Sequence, residues 1–226
     1  MTFSVAGRCA KTGMFGVAIT TSSICVGARC PWVRPGIGAC ATQNITDPSI
    51  GNLLLDTLER GLTASQAMAT ITEPGIKNIE YRQLTLIDNR GSVAHYSGSL
   101  TLGNHAVSVG ETCVAAGNLL KSEDVPNAMT ATFERLHETT LPQRLLSALR
   151  AGLTAGGEGG PVRSSALLVT HRHPWPLVDL RCDWDDDCPI TKLEQLWQAY
   201  EPQMSDYNTR ALNPATAPAY GVPGNP

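Results

Sequence analysis

The hydrophobic period of this chain changes in blocks, and that grouping constrains its fold more than any single motif. Two-residue alternation marks strands, and recurrence every three or four positions marks helices. Residues 2–6 alternate, Lys11-Thr12-Gly13 turns the chain, and 14–19 run back as the second arm of a hairpin. Residues 37–42 form a third strand of small residues, which predicts close packing against its backbone. Asp47 as N-cap and Pro48 in the first turn open a helix through Leu53, Leu54, Leu55 and Leu58, ended by Gly61. Thr63 and Gln66 make a capping box for a second helix through Ile71.

Residues 81–88 and 92–96, split by Asn89-Arg90-Gly91, give another hairpin, and 107–109 and 113–116 are short strands. From 123 to 155 the period is helical: Val125, Ala128, Met129, Phe133 and Leu136 share one stripe, and Leu141, Leu145, Leu149 and Leu153 another. A glycine-rich loop at 156–161, strands at 165–169 and 177–182, and a helix at 190–200 follow. A doubly wound parallel sheet would alternate strand and helix strictly. Grouped elements predict an α+β fold, antiparallel sheets covered by helices, in one domain over 1–201. Residues 202–226 carry five prolines and predict an extended C-terminal arm. Its Tyr207, Leu212, Tyr220 and Val222 are spaced as anchors on this subunit or a neighbour, so a homo-oligomer is expected.

Twenty acidic residues against 17 basic ones, with no basic run, exclude a nucleic-acid footprint. No stretch nears the ~20 apolar residues of a membrane span, and no charged-then-apolar leader opens the chain, so a cytoplasmic protein without membrane contact is expected. Seven cysteines without a C-x-x-C spacing suggest neither a zinc ribbon nor a redox pair. G-x-S-x-G, Walker and H-E-x-x-H motifs are absent. The run from Gly36 to Ala41 fits G-x-G-x-x-A, but the helix signal waits until Asp47, so it reads as a close-packed strand. His171 and His173 ahead of the acidic run 183–187 invite a metal hypothesis. The run lacks the glycine and closing glutamate of a calcium loop, and a solvated turn is the preferred reading; no metal or organic cofactor is expected.

The chemistry points to the first strand. Methionine before threonine is normally excised, which would give Thr2 a free α-amine. Such a threonine carries nucleophile and base in one residue, because its hydroxyl attacks while an amine of pKa ~8 takes the proton. A rigid strand suits that task, since attack geometry must be held tightly.

Several blocks agree in order with a known family: residues 2–8, Gly16-Val17-Ala18-Ile19, Val26-Gly27-Ala28-Arg29, residues 31–39, Ala41-Thr42-Gln43, Gly61-Leu62-Thr63-Ala64, Gly117-Asn118 and residues 164–169. From Thr2 to about Asp183 the chain resembles the bacterial Domain of Unknown Function 1028 family, which is similar to the N-terminal nucleophile (Ntn) hydrolases. The resemblance implies a four-layer αββα sandwich, and Thr2 as nucleophile of amide hydrolysis through an acyl-enzyme ester. The oxyanion needs aimed donors; Asn118 is the first candidate and Gln43 the second. Proteasome-like enzymes place a lysine beside the nucleophile, whereas here Thr20-Thr21-Ser22-Ser23 follows the first hairpin, so the Thr2 amine would act with hydroxyl help from Ser22 or Ser23. Arg8, Arg29 and Arg34, expected near the cleft, suit a small amide substrate bearing a carboxylate. The alternative is a non-catalytic module that binds a small ligand or cell-wall peptide in the same cleft.

Overall fold

The first hairpin forms as expected. Strands β1 (Thr2–Arg8) and β2 (Phe15–Thr21) pair antiparallel from Thr2 opposite Thr21 to Arg8 opposite Phe15. A computed structural model of the protein describes residues 1–73 and 76–224. Next come β3 (Pro31–Arg34), β4 (Gly38–Asn44), α1 (Ser49–Glu59), α2 (Ala64–Thr72), β5 (Arg82–Asp88), β6 (Val93–Ser97), β7 (Ala106–Val109) and β8 (Cys113–Asn118). The chain continues through α3 (Asp124–Arg135), α4 (Leu141–Thr154), β9 (Ser164–Thr170), β10 (Val178–Cys182), α5 (Pro189–Tyr200) and α6 (Met204–Leu212). One sheet has the order β10-β9-β2-β1-β8-β7 and the other β3-β4-β5-β6. Every pairing is antiparallel, and helices accompany both sheets, so the class is α+β.

Strand parity decides what each face meets, since alternate side chains point to opposite sides. Phe3 and Val5 pack with Met129, Phe133, Leu145 and Leu149 of α3 and α4. Ala6 and Val17 instead meet Ala39, Ala41 and Ile87 of the other sheet. Across β4, Cys40 joins Ile50, Leu54 and Leu58 of α1 and Met68 of α2. The small residues of β4 do permit close approach: a Cβ on Gly38 would sit 2.4 Å from the Ile87 carbonyl oxygen and 2.8 Å from Leu58 Cδ1.

Local signals were reliable where the chain makes its own turns. The Asp47 carboxylate accepts from the Ser49 amide at 3.0 Å at the start of α1, and Gly61 takes φ +94° after its end. The Thr63–Gln66 capping box is complete. The C-terminal region departs from a uniformly extended arm, because the proline-free stretch Met204–Leu212 is helical. Tyr200 stacks on Tyr207 with centroids 6.0 Å apart, and Arg210 donates to the Pro218 carbonyl at 3.0 Å, so the arm folds back on itself. No helix among the described residues is long and apolar enough to cross a membrane.

Candidate active site

The strand that begins at Thr2 lies inside the six-stranded sheet, so its first side chain has a neighbour on each side: Thr21 on β2 and Asn118 on β8. By the same parity as Ala6, Thr2 and Ser4 face the second sheet, where both are buried. Thr2 Oγ1 donates to the Met1 carbonyl oxygen at 2.6 Å and lies 3.2 Å from Thr21 Oγ1, which also donates to the Met1 carbonyl.

A polar string runs inward from there. Ser4 Oγ donates to Gln43 Oε1 at 2.6 Å, and Gln43 Nε2 to Gln83 Oε1 at 2.8 Å. Asn118 Nδ2 donates to that same Gln83 oxygen at 3.1 Å. Gln83 Nε2 closes the network on Ser97 Oγ and the Gly117 carbonyl. Buried networks of this kind hold side chains in one arrangement. One acceptor is left over: Asn118 Oδ1, buried opposite Thr2, has no partner.

Beyond Asn118 the chain turns sharply. Leu119 adopts φ +50°, a left-handed conformation that a branched side chain rarely takes. That turn brings Leu120 to a bridge with Glu158, while the Gly159 amide donates to the Leu119 carbonyl at 3.0 Å. The glycine loop is thereby pinned at the Met1 end of β1, and a Cβ on Gly160 would come within 3.4 Å of Met1 Cε. Glu158 is 4% exposed, and neither carboxylate oxygen has a hydrogen-bond partner. Burial pushes its pKa up to about 7, opposed by the nearby Met1 amine and by the amide and hydroxyl of Ser22.

Thr2, Asn118 and Ser22 are thus gathered at one place, and Gln43 stands behind them through Ser4. Ser23 is exposed, and its amide donates to Thr21 Oγ1 at 3.4 Å. The three arginines are engaged elsewhere or distant. Arg29 donates to the Ile24 and Cys25 carbonyls, and Arg34 pairs with Asp56 and Glu59 at 2.7 Å each. Arg8 is at the other end of β1, ~20 Å from Thr2 at the usual rise per residue. There a cavity of about 380 Å³ is lined by Cys9, Lys11, Glu111, Glu134, His137 and Arg144.

Gln83 and Glu158 were not singled out from sequence. Gln83 gave one usable signal, a polar residue at an inward position of a strand. Glu158 gave none, because a glutamate among glycines reads as loop. The acidic run 183–187 leads into α5, where Asp185 Oδ1 accepts from the Asp187 and Cys188 amides at 2.8 Å. His171 contacts the Thr12 carbonyl and His173 stacks on Trp175. Among the described residues no three His, Cys, Asp or Glu side chains are grouped to hold a metal.

Residues 2–193 match the profile described as Family of unknown function (DUF1028). The crystal structure of a Silicibacter pomeroyi protein assigned to DUF1028 is 32% identical, with TM-score 0.83, over 91% of this chain and 92% of that one. Anbu (ancestral beta-subunit) from Yersinia bercovieri is 13% identical with TM-score 0.38, over 92% of this chain and 97% of its own. Anbu from Hyphomicrobium sp. strain MC1 is 14% identical with TM-score 0.39, over 97% of this chain and 100% of its own. No curated protein matches the sequence. On the match across residues 2–193 and the likeness to the Silicibacter pomeroyi protein, the chain belongs to the DUF1028 family.

Proposed function

We propose that this protein is an Ntn-type amidohydrolase that cleaves a small amide or peptide-like bond through Thr2 once Met1 has been removed. The observation that carries the reading is the place of Thr2. Its hydroxyl is buried between two sheets, 3.2 Å from Thr21 Oγ1, with Asn118 opposite in register. The order of helices, sheet, sheet and helices suggested by the three core clusters supports a four-layer αββα sandwich of the Ntn kind.

In this mechanism the Thr2 α-amine takes the hydroxyl proton as Oγ1 attacks the acyl carbon, with Thr21 and Ser22 supplying polar support. The tetrahedral oxyanion is held by a donor such as the Asn118 amide, whose second N–H is free of the bond to Gln83. The C–N bond then breaks, the leaving amine carries the proton away, and water hydrolyses the Thr2 ester. No metal or organic cofactor is required by these steps. Gln43 orients the network through Ser4 and Gln83 rather than touching the substrate. Because Arg8, Arg29 and Arg34 are committed or distant, recognition of a substrate carboxylate by them is not part of the proposal.

We further propose a cytoplasmic homo-oligomer assembled through the C-terminal arm, where Leu212, Tyr220 and Val222 are each more than half exposed. A second reading has its own support: the Met1 carbonyl accepts from both hydroxyls, so a chain that keeps Met1 would have no free nucleophile and would act as a binding module. Intact mass of protein from its native host, with amide hydrolysis by the wild type and Thr2→Ala, separates the two. Loss of one methionine and Thr2-dependent hydrolysis support the enzyme; retention of Met1 overturns it.

A further inference from the structure

Met1 packs against the hydroxyl that the proposed mechanism makes the nucleophile. Its carbonyl oxygen accepts from Thr2 Oγ1 and Thr21 Oγ1. Its side chain lies over Gly160, and its α-amine acts on Glu158. Glu158 has no role in the mechanism above, yet it is buried, and although the Ser22 amide and hydroxyl are near, neither of its oxygens closes a hydrogen bond. An ionised carboxylate in such a place is costly without a cation or donors. The Met1 amine influences it without closing a hydrogen bond.

We infer that the space filled by Met1 is the acyl subsite, and that it takes an α-aminoacyl group whose cationic amine is bound by Glu158. The preferred substrates are then amides of amino acids, or short peptides with a free N-terminus. The placing of Met1 outlines the requirement: a carbonyl at the two hydroxyls and an unbranched apolar side chain over Gly160, with room for an ammonium to close on the nearby Glu158 carboxylate, which Met1 itself does not reach. The inference rests on the hydrolase reading for turnover, and stands apart from it for binding.

The test uses the full chain prepared to begin at Thr2, with its start verified by intact mass. Hydrolysis of L-methionine p-nitroanilide is compared with that of its N-acetyl counterpart. Binding of L-methioninamide and N-acetyl-L-methioninamide to the Thr2→Ala variant is measured by calorimetry. The free amine should be preferred about 10- to 100-fold in both assays, the range of a charge-assisted hydrogen bond. Glu158→Gln should erase the preference by raising KM for the free amine and leave the acetylated substrate unchanged. Glu158→Asp, which keeps the charge, should retain part of it and guards against a folding artefact. Equal treatment of the two ligands, no binding of either, or an equal loss for both substrates in Glu158→Gln would overturn the inference; the last would assign Glu158 to the Thr2 amine. Selective binding without turnover would keep the inference and overturn the hydrolase reading. Turnover without preference would do the reverse.

Discussion

The two ends of β1 belong to one strand of seven residues and differ in almost every physical respect. At the Thr2 end the side chains are hydroxyls and amides with little water access, next to a carboxylate that burial has moved to a pKa of about 7. At the Arg8 end there is an open volume of about 380 Å³, lined by Lys11, Glu134, His137 and Arg144. Lys11 and Glu138 meet nearby at 2.6 Å, both well exposed. That end is rich in charge, and its Lys11–Glu138 pair is screened by solvent. The Thr2 end holds few groups, each desolvated and fixed by neighbours. If the Thr2 end is the reactive one, as proposed, reactivity follows desolvation and fixed geometry rather than volume, since interactions strengthen where water is excluded.

That contrast is breakable by substitution. Thr2→Ala should abolish amide hydrolysis, a loss of about 10⁴-fold or more in kcat, as removal of a nucleophile does; residual turnover within tenfold of wild type would put the chemistry elsewhere. Asn118→Ala should lower kcat by about 10²- to 10³-fold with a smaller change in KM, the behaviour of a lost oxyanion donor. An effect confined to stability would leave Asn118 as a network member only.

Glu158 sharpens the comparison through pH. Its folded pKa of about 7 is above its ordinary value of 4.5, so the folded chain holds the proton more tightly than the unfolded one. Stability from this group is full below pH 4.5 and is lost as pH rises through about 7, by up to about 3 kcal/mol. Denaturant unfolding at pH 5 and pH 8 should show that loss in wild type and not in Glu158→Gln. At the other end, Lys11→Ala should change neither turnover nor the thermal midpoint, because both members of its ion pair are exposed. A measurable loss of activity there would give the Arg8 end a share in function.

What the sequence made legible was local. The first hairpin, the Thr63–Gln66 box and the stripes of α3 and α4 depend on residues close in sequence. The structure places Val125, Met129 and Phe133 fully buried on one stripe and Leu145 and Leu149 on the other. β3 escaped notice because Pro31-Trp32-Val33-Arg34 is short, opens with proline and becomes a strand only by pairing with β4. α6 was hidden by counting prolines rather than measuring the gap between them. At the candidate site, Thr2 is legible from its place after Met1 at the head of a strand, and Asn118 through the family resemblance. Gln83 and Glu158 depend on contacts between distant parts of the chain, Glu158 with Leu120 and Gln83 with Asn118. No local pattern records such meetings.

The interior place of β1 also sets a clock. β1 is made first, but its neighbour β8 (Cys113–Asn118) is synthesised only after more than a hundred further residues. At about 5–20 residues per second, a Met1 that starts the chain, as the proposed mechanism has it, stays open to an aminopeptidase for roughly 6–20 seconds on the ribosome. Once β8 docks, Thr2 is only 5% exposed and the Met1 carbonyl is tied to two hydroxyls. Under the proposed mechanism, methionine excision becomes a race between a peptidase and the arrival of a strand. A chain refolded with Met1 in place should then resist an aminopeptidase that trims the unfolded form readily.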